Sequence, residues 1–227
     1  MSVQLIVPAA GVGQRLGLSM PKALAMLGGR PLIAVTIQNL LPVGFDEPII
    51  VVYTEGYKQA FEDGLEHLGV SVTLVAGGRE RRDSVRRSLD ALSPRTEITV
   101  IHDAARPFAP VDAVQTAIEQ AREHGAATLA TPVADTILVE DGAGFLESTP
   151  DRTVLWACQT PQVFQTDLIR KAHQASCNQM ASSTDDATLV RRIGHPVRLV
   201  DGGAANFKIT TQHDLAFAAH LLGKERT

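Results

Sequence analysis

Between an apolar run at 3–8 and the next helical pattern the chain reads PAAGVGQRLGLSMPKALAMLGG, with Gly11 and Gly13 directly after the run and Arg15 and Lys22 as its charged residues. Bare main-chain amides beneath two cations suit a polyphosphate, because N–H groups bind its oxygens while the cations offset its charge. The next glycine is Gly17, so the spacing is G-x-G-x-x-x-G, not the G-x-G-x-x-G of dinucleotide sites, and the Gly-Lys-Ser/Thr triplet of a P-loop is missing. A tight turn with two surface cations would contain the same residues. A loop of about 20 residues in a compact domain, however, is usually functional or disordered.

A second concentration is GGRERRDSVRRS, residues 77–88, where five arginines fall within nine positions. Ser84 with Asp83 can cap the helix that follows, and Arg86 and Arg87 read as solvated. The amides of Gly78 and Arg79 beside the Ser84 hydroxyl could also read a pyrimidine edge, which offers both acceptors and a donor. A third stretch is HDAARPF, residues 102–108. A carboxylate at a strand end suits Mg²⁺, which takes one or two carboxylates and fills its remaining positions with water and phosphate oxygens, so Asp103 is the candidate ligand. The same carboxylate could simply pair with Arg106. His102 reads as a packing residue, since no second His or Cys stands at ligand spacing.

These segments follow strands in an alternating pattern. Runs at 3–8, 48–54, 70–75, 97–102 and 126–133 read as strands, and the stretches 31–41, 57–68, 82–92 and 111–125 read as helices. The alternation predicts an α/β fold with a doubly wound, mostly parallel sheet whose ligands bind beyond the carboxyl ends of the strands. With 227 residues, one domain over 1–227 suffices to bury a core without disulfides or metals. Aromatic residues are 4% and the formal charge is −4, so neither base stacking nor global attraction to polyanions is supplied, and a nucleic-acid partner is disfavoured. No apolar run reaches the roughly 20 residues that span a bilayer, and no basic segment precedes the first short one. Cys158 and Cys177 form no CxxC pair, and the expectation is a cytoplasmic protein with free thiols. Residues 135–157 break the alternation: TILVE, a turn at DGAG, FLEST and TVLWA read as an extended hairpin, which needs a covering surface. The stretch 212–222 reads as a last helix with Leu215, Phe217, Ala218, Leu221 and Leu222 in the core.

The blocks PAAGVGQRLGLSMPK, GGRERRDSV, HDAARPF, VADT, DRTVLWACQTPQVF, STDDATLV and NFKIT, in this order and spacing, closely resemble the 2-C-methyl-D-erythritol 4-phosphate cytidylyltransferases of the non-mevalonate isoprenoid pathway. The resemblance covers nearly the whole chain. It implies a reaction of CTP with methylerythritol phosphate, with Mg²⁺, giving a cytidine diphosphate alcohol and pyrophosphate. It implies that Arg15 and Lys22 stabilise the transition state, that the amides of Ala10, Gly11 and Gly13 hold the nucleotide, and that Gly78, Arg79 and Ser84 read the base. This family usually has another residue where Arg79 stands, a change that a main-chain role would survive. Asp103 then binds Mg²⁺, with Arg106, Thr136, Arg152, Thr160 and Lys208 around the alcohol phosphate and with Arg152 and Lys208 aiming it. Read without the family, Lys208 is a solvated lysine, Thr136 and Thr160 are ordinary strand and turn residues, and Asp185 and Asp186 are a helix start with no catalytic role. The resemblance further implies that the hairpin at 135–157 is a dimerisation arm carrying Thr136 and Arg152 into the site of a second subunit. Alternatives are a ribitol-5-phosphate cytidylyltransferase, a noncatalytic nucleotide-binding subunit, and a nicotinamide-dependent oxidoreductase; Lys22 with Asp103 speaks against the second and the misplaced third glycine against the last.

Overall fold

The computed structural model describes residues 2–11, 13, 16–78, 80–176 and 185–224. In chain order its elements are β1 (Ser2–Pro8), β2 (Met26–Leu27), β3 (Arg30–Pro31), α1 (Leu32–Leu40), β4 (Ile49–Tyr53), α2 (Lys58–Leu65), β5 (Val72–Ala76), α3 (Arg81–Asp90) and β6 (Thr96–Ile101). There follow α4 (Val111–His124), β7 (Ala126–Pro132), β8 (Val139–Glu140), β9 (Leu146–Ser148), β10 (Trp156–Gln165), α5 (Thr166–Ser176), α6 (Asp186–Arg192), β11 (Arg198–Asp201) and α7 (Gln212–Lys224). Seven strands form the central sheet in the order β11-β7-β10-β6-β1-β4-β5. All neighbours are parallel except β10, which runs antiparallel to both β6 and β7.

Each face of the sheet is covered by helices, and β1 supplies both. Val3, Leu5 and Val7 point into a core with α1, α2 and α4, whereas Ile6 points the other way into a core with α3, α5 and α6. A strand buried on both faces is why 3–8 reads as an unbroken apolar run instead of an alternation. Gln4, 2% exposed, is satisfied by three bonds: it donates to the Pro48 carbonyl, and its Oε1 accepts from Ser93 N and Thr96 Oγ1. From β1 the chain builds outward through β4 and β5 and then crosses to β6 on the other side, so strand order reverses between β1 and β6. The crevice beyond the carboxyl ends of these two strands is where doubly wound sheets bind ligands.

The segment after β1 is only partly a loop. A 3₁₀ turn at Lys22–Leu24 and the β2–β3 hairpin organise it, and Leu16, Leu27 and Leu32 pack with Ala105, Ile209 and Ala218 of α7 in a third core. The long insertion therefore has its own apolar anchorage, which fixes where Lys22 stands.

The hairpin expected over 135–157 is present in shorter form. β8 pairs with β9, the pair β7–β10 closes its base through Val133 N and the Leu155 carbonyl, and Arg152–Val154 forms a 3₁₀ turn. TVLWA does not belong to the arm as a strand: Trp156 opens the ten-residue β10, which enters the main sheet. A hairpin between β7 and β10 forces them antiparallel, which accounts for the one reversed strand. The last helix also departs from expectation. Ala218 is fully buried and Leu215, Leu221 and Leu222 half-buried, but Phe217 is 54% exposed and packs against Phe207 with tilted rings, 5.3 Å between centroids.

Candidate active site

A cleft of about 270 Å³ opens at the β1/β6 crossover. Of the residues singled out from the sequence, Ala10, Gly11, Lys22, Gly78, Ser84, Asp103 and Lys208 line it together. They come from the ends of β1, β5 and β6, the 3₁₀ turn, the first turn of α3, and the segment before α7, so six stretches of the chain converge here. Arg15 and Arg79 lie outside the described residues.

The cations are held by main chain and carboxylate. Lys22 Nζ donates to the Ile209 carbonyl at 2.9 Å, and Lys22 N donates to the Gly11 carbonyl at 3.3 Å. Gly13 backs this lysine at φ +62°: a Cβ there would lie 2.6 Å from Lys22 Cβ, so both its conformation and its neighbour require glycine. Lys208 Nζ donates to Asp103 Oδ2 at 2.6 Å, and Ile209 N donates to the Ala105 carbonyl, which straps the 208–209 segment across the cleft between both lysines' partners.

Asp103 follows β6 and is fixed from beneath. Its N–H donates to Thr160 Oγ1 at 3.0 Å, and Thr160 Oγ1 lies 3.1 Å from His102 Nδ1. Thr160 reaches this position because the β10 ladder is irregular between Cys158 and Gln162, a bulge that re-aims its side chain. Burial would raise the Asp103 carboxyl, but the Arg81 and Lys208 cations outweigh it and hold the group well below the usual carboxylate range. It is therefore an ionised acid at neutral pH. His102 is fully buried with Nε2 2.9 Å from the Arg106 carbonyl, and burial pushes its imidazole down to about 4, as befits a packing and positioning residue.

Arg106 is near the site but not directed into it. Its Nη1 donates to the Asn206 carbonyl at 2.6 Å and its Nη2 to the Cys158 carbonyl at 3.2 Å, so Asp103 pairs with Lys208 and Arg81 and not with Arg106. Thr136 and Arg152 sit on the arm, where Arg152 Nη1 donates to the Ala134 carbonyl at 2.7 Å; neither lines this chain's own cleft. Ser84 does not cap α3. The helix begins at Arg81 after Glu80, and the Ser84 hydroxyl instead accepts from Gly78 N at 3.0 Å in the wall of the cleft.

Arg81 is the lining residue that the sequence did not distinguish from its four neighbours. Its Nη1 donates to Asp186 Oδ2 at 2.7 Å and its Nε stands 3.6 Å from Asp103 Oδ1. Burial would lower its pKa, but Asp186 and Asp103 more than compensate and raise it further. The signal lay in spacing: Arg81, Ser84, Val85 and Ser88 share the inward face of α3. Asp185 caps α6 by accepting from Thr188 N, as the sequence suggests, but Asp186 is a buried ion-pair partner of Arg81 and not part of the cap.

Among the described residues no group of three or more His, Cys, Asp or Glu could cage a metal. One ionised carboxylate beside a glycine-rich strand-end loop is nevertheless a donor set that Mg²⁺ uses when a polyphosphate supplies its other ligands, so Asp103 fits that ion.

Comparison with known proteins assigns the chain. The sequence profile described as "2-C-methyl-D-erythritol 4-phosphate cytidylyltransferase" matches residues 3–224. A protein of that name from Geobacillus kaustophilus is 41% identical over 224 residues, spanning 98% of this chain and 97% of its own. Among solved structures, the 4-diphosphocytidyl-2C-methyl-D-erythritol synthase of Anaerococcus prevotii superposes with a TM-score of 0.86 at 30% identity, covering 98% of both chains. The 2-C-methyl-D-erythritol 4-phosphate cytidylyltransferase of Thermus thermophilus gives 0.81 at 33%, covering 97% of this chain and 98% of that one. With sequence and architecture both matched from end to end, the chain belongs to the 2-C-methyl-D-erythritol 4-phosphate cytidylyltransferase family.

Proposed function

We propose that the cleft performs the transfer its relatives are named for, joining CTP to methylerythritol phosphate with loss of pyrophosphate in isoprenoid precursor synthesis, by positioning and charge neutralisation. The observation that carries this reading is the convergence of Lys22, Arg81 and Lys208 on one cleft with Asp103 as its ionised acid. The substrate's own phosphate oxygen is the nucleophile at the α-phosphorus of CTP, and pyrophosphate leaves with the bond electrons. No side chain need become covalently attached, and catalysis then rests on alignment and on offsetting the charge that builds up.

The residues divide that work. Amides of Ala10, Gly11 and Gly13, with the N-terminal turn of α3, face the triphosphate, where helix N–H groups and dipole favour an anion. Arg15 and Lys22 draw charge off the α-phosphate and the leaving group. Arg79 and Ser84 read cytosine, Arg79 through its amide and Ser84 through its hydroxyl, while the Gly78 N–H is engaged in seating that hydroxyl and does not face the base as the sequence suggested. Asp103 would hold Mg²⁺, which when bound neutralises triphosphate oxygens. Lys208 aims the alcohol phosphate, with Thr160 fixing Asp103 and Arg106 holding the strand end in place through its carbonyl partners.

Thr136 and Arg152 act on the neighbouring subunit's alcohol phosphate in a C2 dimer formed through residues 135–157. The arm exposes Leu138, Phe145, Leu146 and Val154, apolar surface that supports a covering partner, and Arg152 is tethered to the arm's own base. We take the setting to be the cytoplasm, where a free thiol such as Cys158 persists; no helix among the described residues is long and apolar enough to cross a membrane.

The test is substitution of the two lysines with product analysis by ³¹P NMR. Lys22→Ala and Lys208→Ala should each lower turnover about 100- to 1,000-fold, the usual cost of removing one preorganised donor. Either variant that keeps more than half of wild-type turnover removes that lysine from the mechanism.

A further inference from the structure

Beneath the cleft lies a carboxylate that the transfer chemistry leaves unused. Asp186 opens α6, is 1% exposed, and has each oxygen engaged by a different element: Oδ1 accepts from His173 Nε2 of α5 at 3.0 Å, and Oδ2 accepts from Arg81 Nη1 of α3 at 2.7 Å. Its backbone is pinned as well, since Asp186 N and Ala187 N both donate to Gln162 Oε1 of β10 at 2.9 and 3.0 Å. The helices that carry these groups, α3, α5 and α6, pack Val85, Ala172, Ala187 and Leu189 into one apolar core. Withdrawing a charge from water into such a place costs several kcal/mol before pairing, and a well-packed apolar side chain often serves stability equally well. Capping does not explain it either, because Asp185 already caps α6.

What Asp186 does accomplish is an unequal division of Arg81. The guanidinium is drawn to 2.7 Å on the side behind the cleft and left at 3.6 Å from Asp103 within it. Remove the rear carboxylate, and Asp103 is the ion-pair partner that remains to this cation among those the structure shows. Arg81 would then close on the acid that Lys208 also holds, turning its charge away from the place that the proposed function gives the triphosphate.

We propose that Asp186, steadied by His173, is a positioning residue for the nucleotide: it ties Arg81 back so that the guanidinium faces the triphosphate instead of closing on Asp103. This rests on the transfer reading above. The residue touches neither substrate. Its effect passes through Arg81, and it should therefore appear in CTP binding and disappear when Arg81 is absent.

The experiment is a double-mutant cycle on the full chain with Asp186→Asn, Arg81→Ala and the combination, each checked by thermal melting. Steady-state kinetics is paired with calorimetric titration of CTP alone. Asp186→Asn should raise the KM and the Kd for CTP about tenfold, leave kcat within about threefold, and leave the KM for methylerythritol phosphate unchanged. In the Arg81→Ala background the same change should add less than twofold, since contacting residues that act as one unit are not additive. An unchanged CTP affinity in folded Asp186→Asn, or an equal loss with and without Arg81, overturns the proposal. Should Asp186→Asn not fold, the cycle is run with His173→Gln, which should weaken CTP about threefold only when Arg81 is present; equal losses in both backgrounds again overturn it. Wild-type protein that binds CTP but releases no pyrophosphate defeats the transfer reading instead, and the Arg81-dependent loss of CTP affinity still decides the positioning claim.

Discussion

Gly13→Ala should disable the enzyme by moving Lys22 without unfolding the protein. A Cβ at this position lies 2.6 Å from Lys22 Cβ and 3.3 Å from Lys22 Cα. Carbon atoms rest at about 3.5–4.0 Å, so one side of the contact must retreat by about 1 Å. The retreating side is Lys22, because Gly13 sits in the left-handed region at φ +62° and is already strained by any side chain. A misplacement of about 1 Å can cost about 100-fold in rate, and the ceiling is the roughly 100- to 1,000-fold expected from losing the donor. The left-handed conformation itself costs roughly 1–2 kcal/mol, which for a chain of this size lowers Tm by roughly 2–8 °C. Gly17→Ala is the matched control, with φ +65° and nothing within 4 Å of the added carbon, so it has the strain without the collision. Continuous pyrophosphate release, run beside thermal melts, reads both. Gly13→Ala retaining more than a third of wild-type turnover, or Gly17→Ala losing as much as Gly13→Ala, refutes the claim that this glycine exists to seat Lys22.

Three further outcomes are expected. Asp103→Asn keeps the side chain's shape but removes the charge a hard cation needs, so turnover should fall at least about 100-fold and the Mg²⁺ concentration for half-maximal rate should rise; unchanged Mg²⁺ dependence in a titration returns Asp103 to a structural role. His102, held neutral down to about 4, would take a proton near 6.5 in the unfolded chain. Between those values the unfolded state binds more protons, so stability should fall on the order of 3 kcal/mol as pH drops from 6.5 to 4; urea unfolding of wild type and His102→Gln should show the shallower dependence in the variant, and equal slopes contradict the assignment. Finally, Lys22→Ala and Arg152→Ala chains, each nearly inactive, should complement when coexpressed. Half the dimers are then mixed and half their sites intact, so recovery to roughly one quarter of wild type is expected under C2 symmetry, while verified heterodimers as inactive as either parent return Arg152 to its own chain.

The sequence made the βα alternation legible because β1, β4 and β6 are buried strands that read as apolar runs, and the helices between them keep a regular inward face. It concealed β10 because WACQTPQVFQ mixes polar residues with Pro161, and the strand earns its place by tertiary pairing with β6 and β7. Phe217 misled for a related reason. Leu215, Ala218, Leu221 and Leu222 form one stripe of α7, and Phe217 falls off it to pack against the tilted ring of Phe207. Within the site, residues tied to local chemistry were visible: glycines at a strand end, a hydroxyl early in a helix, an acid after a strand. Arg81 and Asp186 were not, because the feature that defines them is a contact across 105 positions between two helices whose local patterns each look ordinary.

The most direct test of the central claim is pyrophosphate release by wild-type protein from each of the four nucleoside triphosphates, offered with methylerythritol phosphate or with ribitol 5-phosphate. Release with CTP and methylerythritol phosphate, exceeding every other pairing by at least about 100-fold, is the result that the cleft and the family predict, since a site built to bond the cytosine edge rejects bases that leave its polar groups unpaired. Preference for ribitol 5-phosphate, or equal rates with all four nucleotides, would contradict it.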